Sequence, residues 1–127
     1  MLKMRYLILY VSSLEKSLTF YTESLGLPIR GNHGTYVELD TGNTVLAMIE
    51  RGNVKELTGL NYKQTEASSQ TFEIGFVTND VHSTIEDLRS KGVTIIKEPI
   101  TKPWGQTVAY IADPDGHFIE ICSSMDE

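Results

Sequence analysis

The sequence contains a single cysteine, Cys122, so an internal disulfide is excluded and a reducing compartment is expected. It contains no cluster of basic residues: 11 lysines and arginines are outnumbered by 17 acidic residues, and the net charge is −6. An acidic chain of this kind is not expected to bind nucleic acid or an anionic membrane surface. The early apolar run Tyr6–Val11 is too short to cross a membrane and precedes no small-residue cleavage site. We therefore expect a cytoplasmic protein without a signal peptide.

The residues that are present form an internal repeat. The segment that begins at Tyr6 resembles the segment that begins at Glu73, with Leu14 aligned on Val81. The residue pattern of each copy predicts a strand, a helix and three further strands. Together the two copies predict an α+β fold with mixed sheets. The expected strands are Tyr6–Val11, 28–32, 35–40 and 44–50 in the first copy, and 72–78, 94–98, Thr107–Ala112 and 117–122 in the second.

Capping residues mark both predicted helices. Ser12 and Glu15 form a Ser-x-x-Glu capping box for the first helix, and Asn79 or Asp80 is expected to cap the second. Apolar residues follow at helical spacing in both copies, and a glycine ends each helix. These residues are Leu14, Leu18, Tyr21 and Leu25 before Gly26, and Val81, Ile85 and Leu88 before Gly92.

The boundaries follow from the repeat. We expect a single domain over 1–127, with module one at 5–50 and module two at 72–123. The polar segment 51–71 is interpreted as a linker that contains one short turn of helix.

Alternation along the strands predicts two different sheet faces. In the last strand Ile119 and Ile121 point to one face, and Glu120 points to the other. The face away from the helices collects aromatic and acidic residues: Tyr6, Ile8, Tyr10, Tyr36, Glu38, Ala47, Glu73, Tyr110, Phe118 and Glu120. A closed core would exclude the glutamates, and bulk solvent would not favour so many aromatics. The pattern therefore predicts a half-hydrated cavity for a small organic ligand; the alternative is a polar face covered by a partner subunit.

The remaining chemically distinctive residues carry weaker predictions. Trp104, in the loop before Thr107–Ala112, is expected either to contact a ligand or to pack in a dimer interface. None of the three histidines is spaced from another as metal ligands are, so all three are expected to be solvated. Cys122 has no adjacent histidine and is interpreted as a small buried hydrophobe.

Three features together resemble the vicinal oxygen chelate superfamily of glyoxalases, extradiol dioxygenases and bleomycin-resistance proteins. They are the paired β-α-β-β-β modules, the V-x-x-L-E-K-S-L-x-F-Y stretch over residues 11–21, and Asp113-Pro114-Asp115-Gly116 followed by Ile119-Glu120. The resemblance implies cupped sheets with helices on their outer faces. In metal-dependent members it implies one divalent ion, held by His, Glu or Gln from the first and last strands of each module.

Carried onto this sequence, those ligand positions are Tyr6, Ala47, Glu73 and Glu120. Only Glu73 and Glu120 offer carboxylates, which predicts at most a weakly bound divalent ion, Mg²⁺ or Mn²⁺ rather than a tight Ni²⁺ or Zn²⁺ site. No histidine occupies any of the four positions, which argues against extradiol dioxygenase chemistry. Either glutamate is also a candidate catalytic base.

Three functional hypotheses follow. The first is a bleomycin-resistance-like protein that binds a small organic ligand without a complete metal site. The second is a metal-dependent lyase or isomerase of the glyoxalase type, with Glu73 and Glu120 at the metal. The third is a non-enzymatic interaction module. In each case we expect a homodimer, because each module leaves a sheet edge that favours a partner.

Overall fold

The computed structural model describes residues 1–62 and 71–125. The chain divides into two compact units, unit 1 over Met1–Thr65 and unit 2 over Glu66–Glu127. Residues 63–70, which belong to the predicted linker, lie outside the described residues. No helix in the described parts of the chain is long and apolar enough to cross a membrane.

Unit 1 contains one four-stranded mixed sheet with the order β1-β4-β3-β2. Strand β1 is parallel to β4, and the other two pairings are antiparallel. Its elements are β1 (Tyr6–Val11), α1 (Leu14–Thr19), a π-helical turn (Phe20–Ser24), β2 (Ile29–Asn32), β3 (Tyr36–Asp40), β4 (Val45–Glu50), a 3₁₀ turn (Arg51–Asn53) and α2 (Val54–Thr58).

Unit 2 repeats this topology with the order β5-β8-β7-β6, and β5 is parallel to β8. Its elements are β5 (Glu73–Val77), α3 (Val81–Ser90), β6 (Thr94–Thr101), β7 (Thr107–Ala112) and β8 (Phe118–Cys122). The two β-α-β-β-β modules with mixed sheets confirm the fold class predicted from the repeat.

Each sheet buries one face. Leu39 in β3 and Ile111 in β7 are both fully buried, as are the helical residues Tyr21 and Ile85 at exposures of 0% and 1%. Burial of each such side chain contributes roughly 1.5–3 kcal/mol. We call the opposite side of each sheet the open face. In β1, β3 and β5 the side chains alternate between the two faces as predicted, whereas β4 is buried on both faces from Val45 to Ile49.

The first helix begins one residue later than the capping box predicts. Ser13, in extended conformation, accepts a hydrogen bond from the backbone N–H of Lys16 at 3.3 Å, so the assignment of the cap to Ser12 was wrong. Glu50, at the end of β4, accepts from the N–H of Leu14 at 3.0 Å. A carboxylate distant in sequence thus reaches an N–H at the start of the helix.

The second helix is capped by Asp80, one of its two predicted candidates. The Oδ1 atom of Asp80 accepts from the N–H of Ser83 at 3.0 Å. Both helices are followed by the predicted glycines, Gly26 at φ 76° and Gly92 at φ 81°, in the left-handed region that other residues avoid. The part of the linker that the structure describes contains the expected short helix, α2.

Strand β6 is longer than predicted, because it continues to Thr101 rather than ending at residue 98. It forms the edge of its sheet and pairs only with β7. Its register shifts between Ile95 and Lys97 and again between Lys97 and Ile100. An edge strand with bulges can accommodate Pro99, which has no N–H to donate.

Candidate ligand-binding site

The open face of unit 2 carries an acidic and aromatic set. Glu120 in β8 lies between buried Ile119 and Ile121, so its side chain points to the opposite side of the sheet. Glu73 occupies the same face of β5, since it alternates with buried Ile74. The electrostatic influence of both carboxylates reaches Tyr110.

Tyr110 and Glu120 form a direct cross-strand pair. They are register partners in β7 and β8, and the Tyr110 hydroxyl donates to Oε2 of Glu120 at 3.1 Å. Burial, together with the negative charge of Glu120, raises the pKa of Tyr110 to about 12. Tyr110 is therefore a neutral donor at physiological pH, and its side chain is only partly buried.

A hollow of about 290 Å³ lies beside this pair and is lined by Glu73, Ile96, Lys97, Tyr110 and Phe118. Phe118 and Ile96 are 39% and 38% exposed, which is high for large apolar residues in a sheet. Its volume is close to the lower end of the range for small-molecule sites, about 300 Å³. An apolar wall with one carboxylate and one ammonium group suits a small amphiphilic molecule.

The sequence did not reveal Ile96 and Lys97 as members of this hollow. Ile95 pairs with Ile111 and Lys97 pairs with Tyr110, so the β-bulge adds one residue to β6. Strict alternation would separate Ile96 from Lys97, but the bulge brings both to the hollow. Two features of the sequence signal that this edge strand is irregular: the consecutive apolar residues before Lys97, and Pro99.

The Cys122 thiol and the His117 ring, both in unit 2, have structural roles. The Cys122 thiol lies 3.6 Å from the carbonyl oxygen of Phe76, and burial, with Glu120 nearby, raises its pKa to about 11. Such a thiol is a poor nucleophile. The ring of His117 contacts buried Asp113, with Nδ1 and Oδ2 2.7 Å apart. The expectation of a solvated histidine was wrong for His117, because the Asp113 turn folds back onto its ring.

The open face of unit 1 holds a second tyrosine–glutamate pair. The Tyr36 hydroxyl donates to Oε2 of Glu38 at 2.7 Å, and Arg30 Nε donates to Oε1 at 3.2 Å. The Tyr36 hydrogen bond, opposed by burial and aided by Arg30, lowers the pKa of Glu38. Burial and the bond to Glu38 raise the pKa of Tyr36 to about 12. This carboxylate is ionised, and each of its oxygens accepts a hydrogen bond from a protein donor.

A histidine that the sequence did not single out completes this cluster. The His33 ring stacks on Tyr36 with centroids 6.0 Å apart. A Cβ atom on Gly31 would lie 3.3 Å from His33 Nε2 and 3.9 Å from Glu38 Oε1, so both groups lie over this glycine. A glycine inside a strand pattern was the signal, because it marks close approach of a neighbour.

Two of the four ligand positions implied by the resemblance carry no carboxylate, imidazole or carboxamide group. Ile8 pairs with Ala47 as Gly75 pairs with Glu120, so Ala47 is the structural counterpart of Glu120. Ala47 is 0% exposed and its methyl group cannot ligate, and Tyr6 offers only an exposed phenol. Within residues 1–62 and 71–125, no group of three or more His, Cys, Asp or Glu side chains is arranged to hold an ion.

The other predicted ligand-contact residues do not join the hollow. Tyr10 packs edge-to-face against Tyr62, with ring centroids 4.9 Å apart. Trp104 is 64% exposed and lines a separate cleft of about 570 Å³ with Gly105, Gln106, Ser124 and Met125. Its indole N–H donates to Gln106 Oε1 at 3.3 Å.

Comparison with known proteins places this architecture in a family. Residues 4–126 match the sequence model of the glyoxalase-like domain. The uncharacterized protein YraH of Bacillus subtilis is 36% identical over 124 residues, which cover 94% of this chain and 97% of that protein. A probable lactoylglutathione lyase of Vibrio parahaemolyticus is 30% identical over 118 residues, which cover 90% of this chain and 85% of that protein.

Solved structures show the same fold. A glyoxalase/bleomycin resistance protein/dioxygenase from Nocardioides superposes with a TM-score of 0.84 at 23% identity, covering 99% of this chain and 85% of that chain. A protein of unknown function from Agrobacterium tumefaciens superposes with a TM-score of 0.83 at 29% identity, covering 98% and 95%. The repeat, the sheet topology and these matches agree: the chain belongs to the glyoxalase-like domain family, within the vicinal oxygen chelate superfamily.

Proposed function

We propose that this protein binds a small organic ligand with an apolar body in the hollow on the open face of unit 2. The observation that carries the proposal is the lining of that hollow, where Ile96, Phe118 and the Tyr110 ring meet Glu73 and Lys97. Aromatic surface left accessible beside isolated charges is the usual composition of a small-molecule site. Because Glu120 adds a second carboxylate on this face, a cationic group on the ligand is favoured.

Three probes with the same ring and different charge test this proposal: 2-phenylethylamine, 2-phenylethanol and 3-phenylpropanoate. Titration followed by backbone amide chemical shifts should show saturable changes near residues 73, 96, 97, 110 and 118, with the amine binding most tightly. Phe118→Ala should weaken all three probes, since it removes apolar contact. If none of the probes shows saturable binding at these positions, the third hypothesis, an interaction module, is favoured.

Charge variants separate the contribution of Glu73 from that of Lys97. Glu73→Gln should lower the affinity for the amine and leave the alcohol unchanged. Lys97→Gln is the matched control, because it removes the opposite charge from the same hollow and should weaken only the propanoate. Equal effects of the two variants on all three probes would contradict a role of either charge in ligand recognition.

We propose that binding does not depend on a divalent metal. Ala47 and Tyr6 replace two of the four implied ligands, and the register partner of Ala47 in β3 is Glu38, whose carboxylate is engaged by Tyr36 and Arg30. Elemental analysis of protein purified without chelator should find far less than one equivalent of Mg, Mn, Ni or Zn. Unchanged probe binding after dialysis against a chelator is expected; loss of binding would contradict this part of the proposal.

Lyase activity is the second candidate function, since relatives of about 30% identity carry the name lactoylglutathione lyase. The roles of Glu73 and Glu120 as catalytic or metal-binding residues stay predictions. A lactoylglutathione lyase assay with each of the four divalent ions added decides between the two candidates. We expect no lyase activity with any of the four ions. If activity is found and Glu120→Gln abolishes it, the lyase function replaces our proposal.

We also propose a homodimer. Large apolar side chains are exposed in both units, including Ile8 at 43% and Val77 at 64%, and each sheet ends in an edge strand. Covering such residues with a second copy would remove apolar area from water. Light scattering of the eluting protein should give twice the mass of one chain, 14.2 kDa. A mass equal to one chain over the accessible concentration range would refute the dimer.

A further inference from the structure

The cluster over Gly31 in unit 1 shares no residue with the hollow of unit 2, and the proposed function does not use it. It consists of Arg30, His33, Tyr36 and Glu38 on the hairpin of β2 and β3. None of its four members stands at a ligand position that the superfamily resemblance implies. We propose that this cluster binds an oxyanion, a carboxylate or phosphate group, through the guanidinium of Arg30 and the ring of His33.

The first argument is the way the guanidinium is held. Glu38 accepts from the Nε atom of Arg30 at 3.2 Å, while Tyr36 holds the other oxygen of the same carboxylate. A guanidinium bound through Nε retains the two terminal nitrogens, whose parallel N–H groups match the two oxygens of a carboxylate or phosphate. Glu38 is thus a positioning residue, which orients Arg30 without occupying that edge.

The second argument is the accessibility of the donors. The Arg30 side chain is 46% exposed, whereas Glu38 is only 17% exposed, so the cation faces solvent and the carboxylate lies beneath it. Within the described residues, Arg30 contacts protein acceptors only through Nε, and the His33 ring makes a stacking contact but no hydrogen bond. These N–H groups are available to a ligand.

The third argument is the preorganised position of His33. Its ring stacks on Tyr36, and its Nε2 would lie 3.3 Å from a Cβ atom on Gly31, to which Glu38 Oε1 would lie at 3.9 Å. The main chain reinforces this placement, because the His33 N–H donates to the Tyr36 carbonyl at 2.9 Å. An imidazole held beside an oriented guanidinium adds a second donor to the same region, and little side-chain entropy is lost on binding.

The test uses the full chain and two defined anions. Sodium phosphate and sodium acetate are titrated separately at constant ionic strength, kept with sodium chloride, and amide chemical shifts of residues 30–38 are followed. Saturable shifts at these residues are expected with at least one anion, and the tighter of the two shows whether the site prefers a tetrahedral or a planar oxyanion.

Variants assign the effect to the cluster. Arg30→Lys keeps the positive charge but removes the paired N–H groups, and should weaken binding about tenfold, the value of one charge-assisted hydrogen bond. His33→Gln should weaken it by a smaller factor. Arg89→Lys is the matched control, since Arg89 pairs with Glu86 and Glu98 in unit 2, and should change nothing.

The proposal is overturned by any of three results. These are linear, non-saturating shifts with both anions, an unchanged affinity in Arg30→Lys, and an equal loss in Arg89→Lys. Because the phenyl probes report on residues of unit 2, failure of the anion site leaves the hollow untouched, and the two proposals fail separately. Unaltered amide spectra of unit 2 in each variant show that the chain remains folded.

Discussion

The two open faces carry the same pair of residue types in different arrangements. In unit 1, Tyr36 and Glu38 lie two residues apart on one strand, and Arg30 balances the carboxylate. In unit 2, Tyr110 and Glu120 lie on neighbouring strands, and the second carboxylate, Glu73, shares the face. A repeated topology therefore does not repeat the electrostatics: one face is neutralised internally, and the other is left acidic beside an apolar hollow.

The largest expected effects test whether the buried faces of the two sheets contribute equally to the free energy of unfolding. Leu39 and Ile111 occupy matching positions in β3 and β7 and are both 0% exposed. Leu39→Ala and Ile111→Ala should each lower the free energy of unfolding by roughly 2–5 kcal/mol, because each leaves a cavity. Urea denaturation followed by circular dichroism measures both. Ile111→Val is the milder control, and a loss below roughly 1 kcal/mol for either alanine variant would contradict equal packing.

A smaller effect reports on the acidic character of the unit 2 face. Burial and the neighbouring Glu120 raise the pKa of Cys122 to about 11. Since only the thiolate reacts, alkylation by iodoacetamide near pH 8 should be about a hundredfold slower than for a free cysteine. Glu120→Gln should accelerate the reaction by removing the negative charge beside the thiol. If the native protein is labelled at the rate of a free cysteine, Cys122 is not buried beside a negatively charged Glu120.

Tyr36 and Tyr110 should both lose their phenolic protons at high pH and over the same pH range. Both have pKa values of about 12, so the folded state holds its protons more tightly than the unfolded state does. The resulting stability is fully present below pH 10 and is lost as the pH rises from about 10 to about 12. Absorbance at 295 nm should therefore show Tyr36 and Tyr110 ionising at higher pH than a free tyrosine. Loss of one late step in Tyr36→Phe and of the other in Tyr110→Phe assigns them.

Those phenylalanine variants also compare the strength of the two pairs. Each should lower the free energy of unfolding at neutral pH by about 1 kcal/mol, the usual worth of a hydrogen bond. The effect should be larger for Tyr36, whose bond is 2.7 Å long, than for Tyr110, whose bond is 3.1 Å long. The reverse order would indicate that Arg30 alone holds Glu38.

The smallest effects compare the two helix starts. Asp80→Ala should cost about 1 kcal/mol, since a charged side chain caps α3 at 3.0 Å. Ser13→Ala should cost less, because its bond is longer, at 3.3 Å, and Glu50 also binds the start of α1. Chemical denaturation measures both. Equal losses in Asp80→Ala and Ser13→Ala would contradict this ranking of the two caps.

Much of the candidate site could be read from the sequence, and the exceptions share a cause. The placement of Glu73 and Glu120 on one face follows from strand alternation alone. Ile96 and Lys97 escaped that reasoning because a bulge changes which residues face the hollow. Arg30 and His33 escaped it because their role depends on contacts with Glu38 and Gly31, which only the hairpin brings together.

The sequence by itself determined the repeat, the strand and helix order, and the apolar face of each sheet, because these depend on side-chain periods and on a few capping and turn residues. Tertiary structure alone decided that Glu50 binds the start of α1, that a bulge brings Ile96 and Lys97 to the hollow, and that Arg30 neutralises Glu38. Each of these depends on strand register, which is set by the packing of a whole face and not by any local stretch of residues.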